Sequence, residues 1–188
     1  MSGLGESVSV PVLARVALIG VATGFRSQLG TATVALTTDS GETSCPASLL
    51  AGRWAKAITA AAAAGELVAD KLPGTPSRLG AAGFVPRLLL GALAGAALAG
   101  RRPGDSTPPV IAALTGAVAA AGGTFAGAGW RAAAHSGGRP DWAAAVTEDV
   151  AALALAYAAC APCHGRQAAS APVPVTGADP DEAAAVRP

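Results

Sequence analysis

Leu88-Leu89-Leu90-Gly91-Ala92-Leu93-Ala94-Gly95-Ala96-Ala97-Leu98-Ala99-Gly100 carries no charged or polar side chain on any face. A helix of a soluble bundle keeps a polar stripe for water, so a helix apolar all round belongs in a large protein core or in lipid. The chain has 188 residues, too few for a core that buries whole helices, and Ala112 to Gly129 repeats the same uncharged pattern. These two stretches decide the class: an all-α integral membrane bundle.

Composition extends that reading to the whole chain. It is 52% hydrophobic and 13% charged, with a mean hydropathy of +0.46. There are 50 Ala and 24 Gly, but only 4% aromatic residues, so small residues must do the packing. A net charge of +1 provides no basic field for nucleic acid. Spans of about 20 apolar residues bounded by Pro, Gly or charge appear five times. They run from Val10 to Leu36, Leu49 to Ala69, Leu79 or Phe84 to Gly100, Pro109 to Ala134, and Trp142 to Ala161. The first carries Arg15 and Arg26 and outruns a signal-peptide apolar region, so it is expected to stay in place. Residues 1–165 thus read as one transmembrane domain, and 166–188, rich in Ala, Pro and Asp, as a disordered tail. Trp54, Trp130 and Trp142 fall near span ends, where an aromatic belt places them. Gly20 and Gly24, Gly91 and Gly95, and Gly123 and Gly127 form G-x-x-x-G pairs. They are read as close packing between helices of one chain, with homodimerisation as the alternative.

Ionisable groups within spans cost at least about 2.5–3.5 kcal/mol each at a helix centre, so each needs a partner or a task. Arg26, Glu66, Asp70 and Lys71 mark the first half, and Arg131, Glu148 and Asp149 the second. Ala126-Gly127-Ala128-Gly129-Trp130-Arg131 echoes the segment around Arg26, and the segment around Glu148 echoes that around Glu66. With three crossings between matched spans one and four, halves 10–100 and 109–161 would form an inverted repeat, the plan of many secondary transporters. Two readings stand for the carboxylates. In one, Glu66 and Glu148 are neutralised by Arg26 and Arg131. In the other, they form a proton- or cation-binding pair near the repeat axis, and the arginines hold an anionic group.

The run Glu66-Leu67-Val68-Ala69-Asp70-Lys71-Leu72-Pro73, with Arg87 and the later Glu148-Asp149, resembles an uncharacterised family of small bacterial multi-pass membrane proteins. This domain-of-unknown-function family carries an E-x-x-A-D-K-x-P stretch and a later Glu-Asp pair. The resemblance covers roughly residues 14–161 and implies a fold and marked positions, without a reaction. The chain departs from the family order in placing Pro86 before Arg87.

Cys160-Ala161-Pro162-Cys163-His164 is a literal C-x-x-C-H, the attachment pattern of haem c with His164 as proximal ligand. Three readings apply: haem attachment, a redox or metal dithiol, and incidental cysteines at a helix end. G-x-S-x-G, H-E-x-x-H and a phosphate-binding loop are absent, and two His offer little general base, so no enzyme is expected. The resulting expectation is a multi-pass cell-membrane protein, a small transporter or channel-like protein for an ion or small anionic solute. An accessory subunit of a larger membrane complex and a membrane-anchored haem c protein are the alternatives, with the bilayer as the common partner.

Overall fold

The computed structural model describes residues 10–69, 79–101, 107–138 and 140–161, all of whose regular elements are helices. They are α1 (Val10–Phe25), α2 (Leu29–Thr37), α3 (Ala47–Ala51), α4 (Arg53–Ala69), α5 (Ala81–Gly100), α6 (Pro109–Ser136) and α7 (Asp141–Cys160). The predicted tail 166–188 lies outside the described residues.

Glycine brings α1, α5 and α6 together. A Cβ at Gly20 would stand 2.5 Å from the Gly116 carbonyl oxygen, and one at Gly95 would stand 2.7 Å from that of Ala112. At Gly24 and Gly123 it would strike the carbonyl oxygens of Ala120 and Val21. Every glycine of the three G-x-x-x-G pairs therefore faces a neighbouring helix of the same chain, with Gly127 against Phe25 and Glu148. Backbones this close leave room only for small side chains, and most buried apolar residues are Ala, joined by Val12, Val16, Ile19, Val34, Leu50 and Leu98.

Large apolar side chains point outward instead. Leu114, Val118 and Phe125 on α6, and Val146, Val150, Leu153 and Tyr157 on α7, are exposed. Helices α5, α6 and the part of α7 from Trp142 to Cys160 are each long and apolar enough to cross a membrane. Trp54 and Trp142 are strongly exposed and Trp130 partly so. A small-residue interior under a large-residue apolar surface is the inverse of a water-soluble bundle.

Three of the five expected spans therefore meet the length and hydropathy of a crossing. The other two differ. Val10 to Leu36 is broken at Arg26-Ser27-Gln28, and α2 turns back along α1: Gly30 lies against Thr23 and Ile19, and Val34 and Ile19 share one core cluster. Leu49 to Ala69 divides at Gly52 into α3 and α4, and α4 carries Arg53, Lys56 and Glu66. Apolar length alone missed both breaks: none of the three residues at the first is Pro or Gly, and the second falls at the single Gly52.

Helix directions also correct the inverted repeat. Gly20 faces Gly116 and Gly24 faces Ala120 to Thr124, so α1 and α6, the matched arginine segments, run parallel. Helices α4 and α7, the matched carboxylate segments, run opposite ways. Glu66 and Asp149 lie at the level of residues 26–28, Lys56 reaches Thr38, and Arg15 reaches Ala161. One two-fold axis cannot relate both pairs.

Candidate functional site

The break in the hairpin is where the charges gather. Arg26 follows α1, and its guanidinium has nowhere to go but inward, because it is 3% exposed. Its Nε donates to Asp149 Oδ1 of α7 at 2.5 Å, and Nη2 faces the same oxygen. One residue later, Ser27 turns the other way: its N–H and hydroxyl donate to Glu66 Oε1 of α4 at 2.8 and 2.7 Å. The Gln28 N–H donates to Glu66 Oε2 at 2.8 Å. Glu66 therefore caps α2 from another helix. The first N–H groups of a helix have no partner within it, and its N-terminus carries partial positive charge, so a carboxylate there satisfies both demands.

Arg87 completes this side, its Nη2 3.6 Å from Glu66 Oε1. It sits one residue after Pro86, which removes an N–H from the first turns of α5, and its Nη1 donates to the Gly83 carbonyl at 2.7 Å. Sequence reading noted Arg87 without giving it a partner. The signal was there: a lone Arg at the head of an uncharged span needs an acid at the same depth.

Across the hairpin, Arg131 of α6 donates from Nε to Glu148 Oε2 of α7 at 2.7 Å. Glu148 is 3% exposed. Arg131 Nη2 is buried and meets no acceptor among the described residues. Arg87 is the seventh residue of α5 and Glu148 the eighth of α7, so the cluster lies about 10 Å inside those helix ends at 1.5 Å per residue. Beside it, Phe25, Ala126, Trp130, Thr147, Glu148 and Ala151 line an open groove of about 260 Å³ between α1, α6 and α7.

Of the seven expected intramembrane residues, five are brought to one level: Arg26, Glu66, Arg131, Glu148 and Asp149. Asp70 and Lys71 lie outside the described residues. The ion pairing differs in part from expectation. Arg131 meets Glu148 as expected, but Arg26 takes Asp149, and Glu66 takes Arg87 together with the hairpin backbone. Adjacent Glu148 and Asp149 point to different arginines because neighbours on a helix are about 100° apart. Glu66 and Glu148 face separate partner sets, so they do not form the single proton- or cation-binding pair considered above.

The opposite end of the bundle carries a second, unexpected set. Arg101 Nη1 donates to Thr37 Oγ1 at 2.8 Å, and Lys56 Nζ donates to the Thr38 carbonyl at 2.7 Å. Helix α2 thus has an anion at its N-terminus and two cations at its C-terminus, the order its dipole favours. Nearby, backbone N–H donation from Ser44 holds the half-buried Glu42 carboxyl below its ordinary value. Cys160 is a partly buried free thiol packed on the cluster that holds Ala47 and Leu50. Its C-x-x-C-H partners Cys163 and His164 lie outside the described residues, and among those described no group of His, Cys, Asp and Glu could hold a metal.

No curated protein and no solved structure matches the chain. Residues 13–164 match a family described as a domain of unknown function, DUF4126, which spans all seven helices but the first three residues of α1. The chain belongs to the DUF4126 family.

Proposed function

We propose that the chain is a multi-pass cell-membrane protein that passes an ion or small anionic solute, with the charge cluster at the hairpin break as its polar site. The single observation that carries this reading is the arrangement around residues 26–28. A discontinuous helix turns back there, and Arg26, Arg87, Arg131, Glu66, Glu148 and Asp149 meet at its corner. Broken helices with charged partners at membrane depth are how polar solutes are held where lipid offers no hydrogen bonds. Three guanidiniums suit an anion, and the buried Arg131 Nη2 without an acceptor is the donor such a solute would use. The role is binding and passage, without catalysis. The glycine faces on which an accessory-subunit reading would rest are occupied within the chain, which favours transport over scaffolding.

The test is flux into liposomes carrying the purified protein, with chloride, acetate and inorganic phosphate as probes and internal pH recorded. Wild-type protein should move at least one probe with a pH-dependent rate. Arg131→Leu should lose that flux while keeping a monodisperse profile in detergent. Absence of flux for every probe, with a second protein copurifying in fixed ratio, would transfer the assignment to the accessory-subunit class.

A further inference from the structure

The ion pairs make the two ends of the bundle electrostatically unequal. At the end toward which α1 and α6 run, Arg26, Arg87 and Arg131 each meet a carboxylate, so these cations are neutralised within the protein. At the other end the cations meet neutral groups. Arg101 donates to the Thr37 and Thr38 hydroxyls and to the Val34 carbonyl, and Lys56 donates to the Thr38 carbonyl and the Ser40 hydroxyl. Arg53 lies over Trp54, 5.5 Å from the ring centroid, and that ring is strongly exposed. Asp39 and Glu42 share this end, yet no carboxylate among the described residues forms an ion pair with Arg53, Lys56 or Arg101.

Sidedness in a bilayer follows the Lys and Arg that flank the spans, while Asp and Glu contribute little. The fold decides which residues flank. Arg26, Arg87 and Arg131 lie within the bundle in their ion pairs and leave the count. By chain order, the connection between α5 and α6 and the sequence after α7 add Arg102 and Arg166 to Arg53, Lys56 and Arg101. The connections of the opposite end, between α4 and α5 and between α6 and α7, hold Lys71, Arg78 and Arg139. Five basic residues therefore flank one end and three the other. Arg15 of α1 leans the same way, since it reaches the Ala161 carbonyl at the end of Arg101.

We propose that the end bearing Arg53, Lys56 and Arg101 faces the cytoplasm, with this basic rim against the anionic headgroups of the inner leaflet. Cations that no carboxylate neutralises are attracted by the negative potential of that leaflet, and the exposed Trp54 beside them is a side chain suited to headgroup depth. The hairpin corner then belongs to the outer half of the membrane, so an anionic solute meets Arg26, Arg87 and Arg131 from outside. Cys45 and Cys160, both free thiols, then lie on the reducing side. The orientation rests on the membrane reading and deepens it by giving the passage a side of entry.

The experiment is labelling of the full chain in spheroplasts of a bacterial host with a membrane-impermeant maleimide, before and after permeabilisation. One version keeps Cys45 alone, and another carries Ser136→Cys alone, at the exposed far end of α6. Labelling of Cys45 should rise at least tenfold on permeabilisation, and Ser136→Cys should react equally before and after. Reaction of Cys45 in intact spheroplasts, or protection of Ser136→Cys, overturns the proposal. Recovery of the protein in the soluble fraction after a carbonate wash overturns the membrane reading as well, which separates the two failures. The rim is tested by Arg53→Gln with Arg102→Gln, which leaves three basic residues at each end and keeps Lys56 and Arg101, the two that hold α2. Labelling of Cys45 in intact spheroplasts should rise at least fivefold in that variant, and an unchanged value overturns the rim as the cause of the orientation.

Discussion

Arg26 and Ser27 are neighbours in the chain, yet they bind opposite sides of the bundle, and this divergence sets the cost of losing either contact. Arg26 is almost fully buried, and its Asp149 partner is only 18% exposed at the side chain. Truncating one member of a buried pair leaves an uncompensated charge, at about 3–5 kcal/mol, whereas replacing both removes the charge problem along with the bond. Arg26→Leu and Asp149→Leu should each lower the thermal midpoint in detergent. The double variant should recover part of the loss, with a coupling of about 0.5–3 kcal/mol. Additivity within about 0.5 kcal/mol would mean that the two groups are solvated separately. The partner choice itself was not legible in the sequence. Arg26, Glu66, Glu148 and Asp149 could all be marked as charges in apolar surroundings, but pairing depends on which way each helix faces. No repeat of residues reports that.

Elements are held by glycine where a backbone approaches and left free where none does, and the two cases separate cleanly along α6. At Gly123 an added Cβ would strike the Val21 carbonyl of α1, while at Gly122 and Gly129 it would meet nothing within 4 Å. Gly123→Ala should therefore destabilise by about 1–3 kcal/mol, the usual cost of overpacking. Gly122→Ala should be neutral or stabilising by up to about 1 kcal/mol, since Ala is the better helix former. Thermal scans of the two variants in detergent check the contrast, and equal losses would argue against the α1–α6 contact. Helix α2 adds a third case. Arg101→Leu removes a charged donor from Thr37 at the solvent-exposed C-terminus of α2 and should cost about 0.5–1 kcal/mol, again read as a lowered midpoint. The G-x-x-x-G pairs were readable as intramolecular contacts because three helices rich in Gly and Ala must touch something. The turn at residues 26–28 was not, because its cap comes from Glu66, 39 positions after Ser27.

At the scale of the whole molecule, the hairpin changes which ends of the chain share a side. A single span from Val10 to Leu36 would place Val10 and Cys45 on opposite faces of a bilayer. In the folded-back form, Val12 and Val16 pack with Ala99 and Ala112 at one end of the bundle, where Arg101 also reaches Thr37 and Thr38. Cys45 lies beside Gly100, and Arg15 reaches Ala161, so Val10, Cys45 and Cys160 all belong to that end. Ser136, at the far end of α6, belongs to the other. Single-cysteine versions carrying Val10→Cys, native Cys45 or Ser136→Cys, with the remaining cysteines changed to Ser, should react accordingly with a membrane-impermeant maleimide in sealed vesicles. Val10→Cys and Cys45 should label from the same side, and Ser136→Cys from the opposite one. Val10 and Cys45 are exposed, so reagent access follows the side of the membrane and not burial within the bundle. Labelling of Val10→Cys and Cys45 from opposite sides would straighten α1 and α2 into one span. It would also take Ser27 and Gln28 away from Glu66, because a continuous helix has no free N–H groups at its middle for a carboxylate to cap.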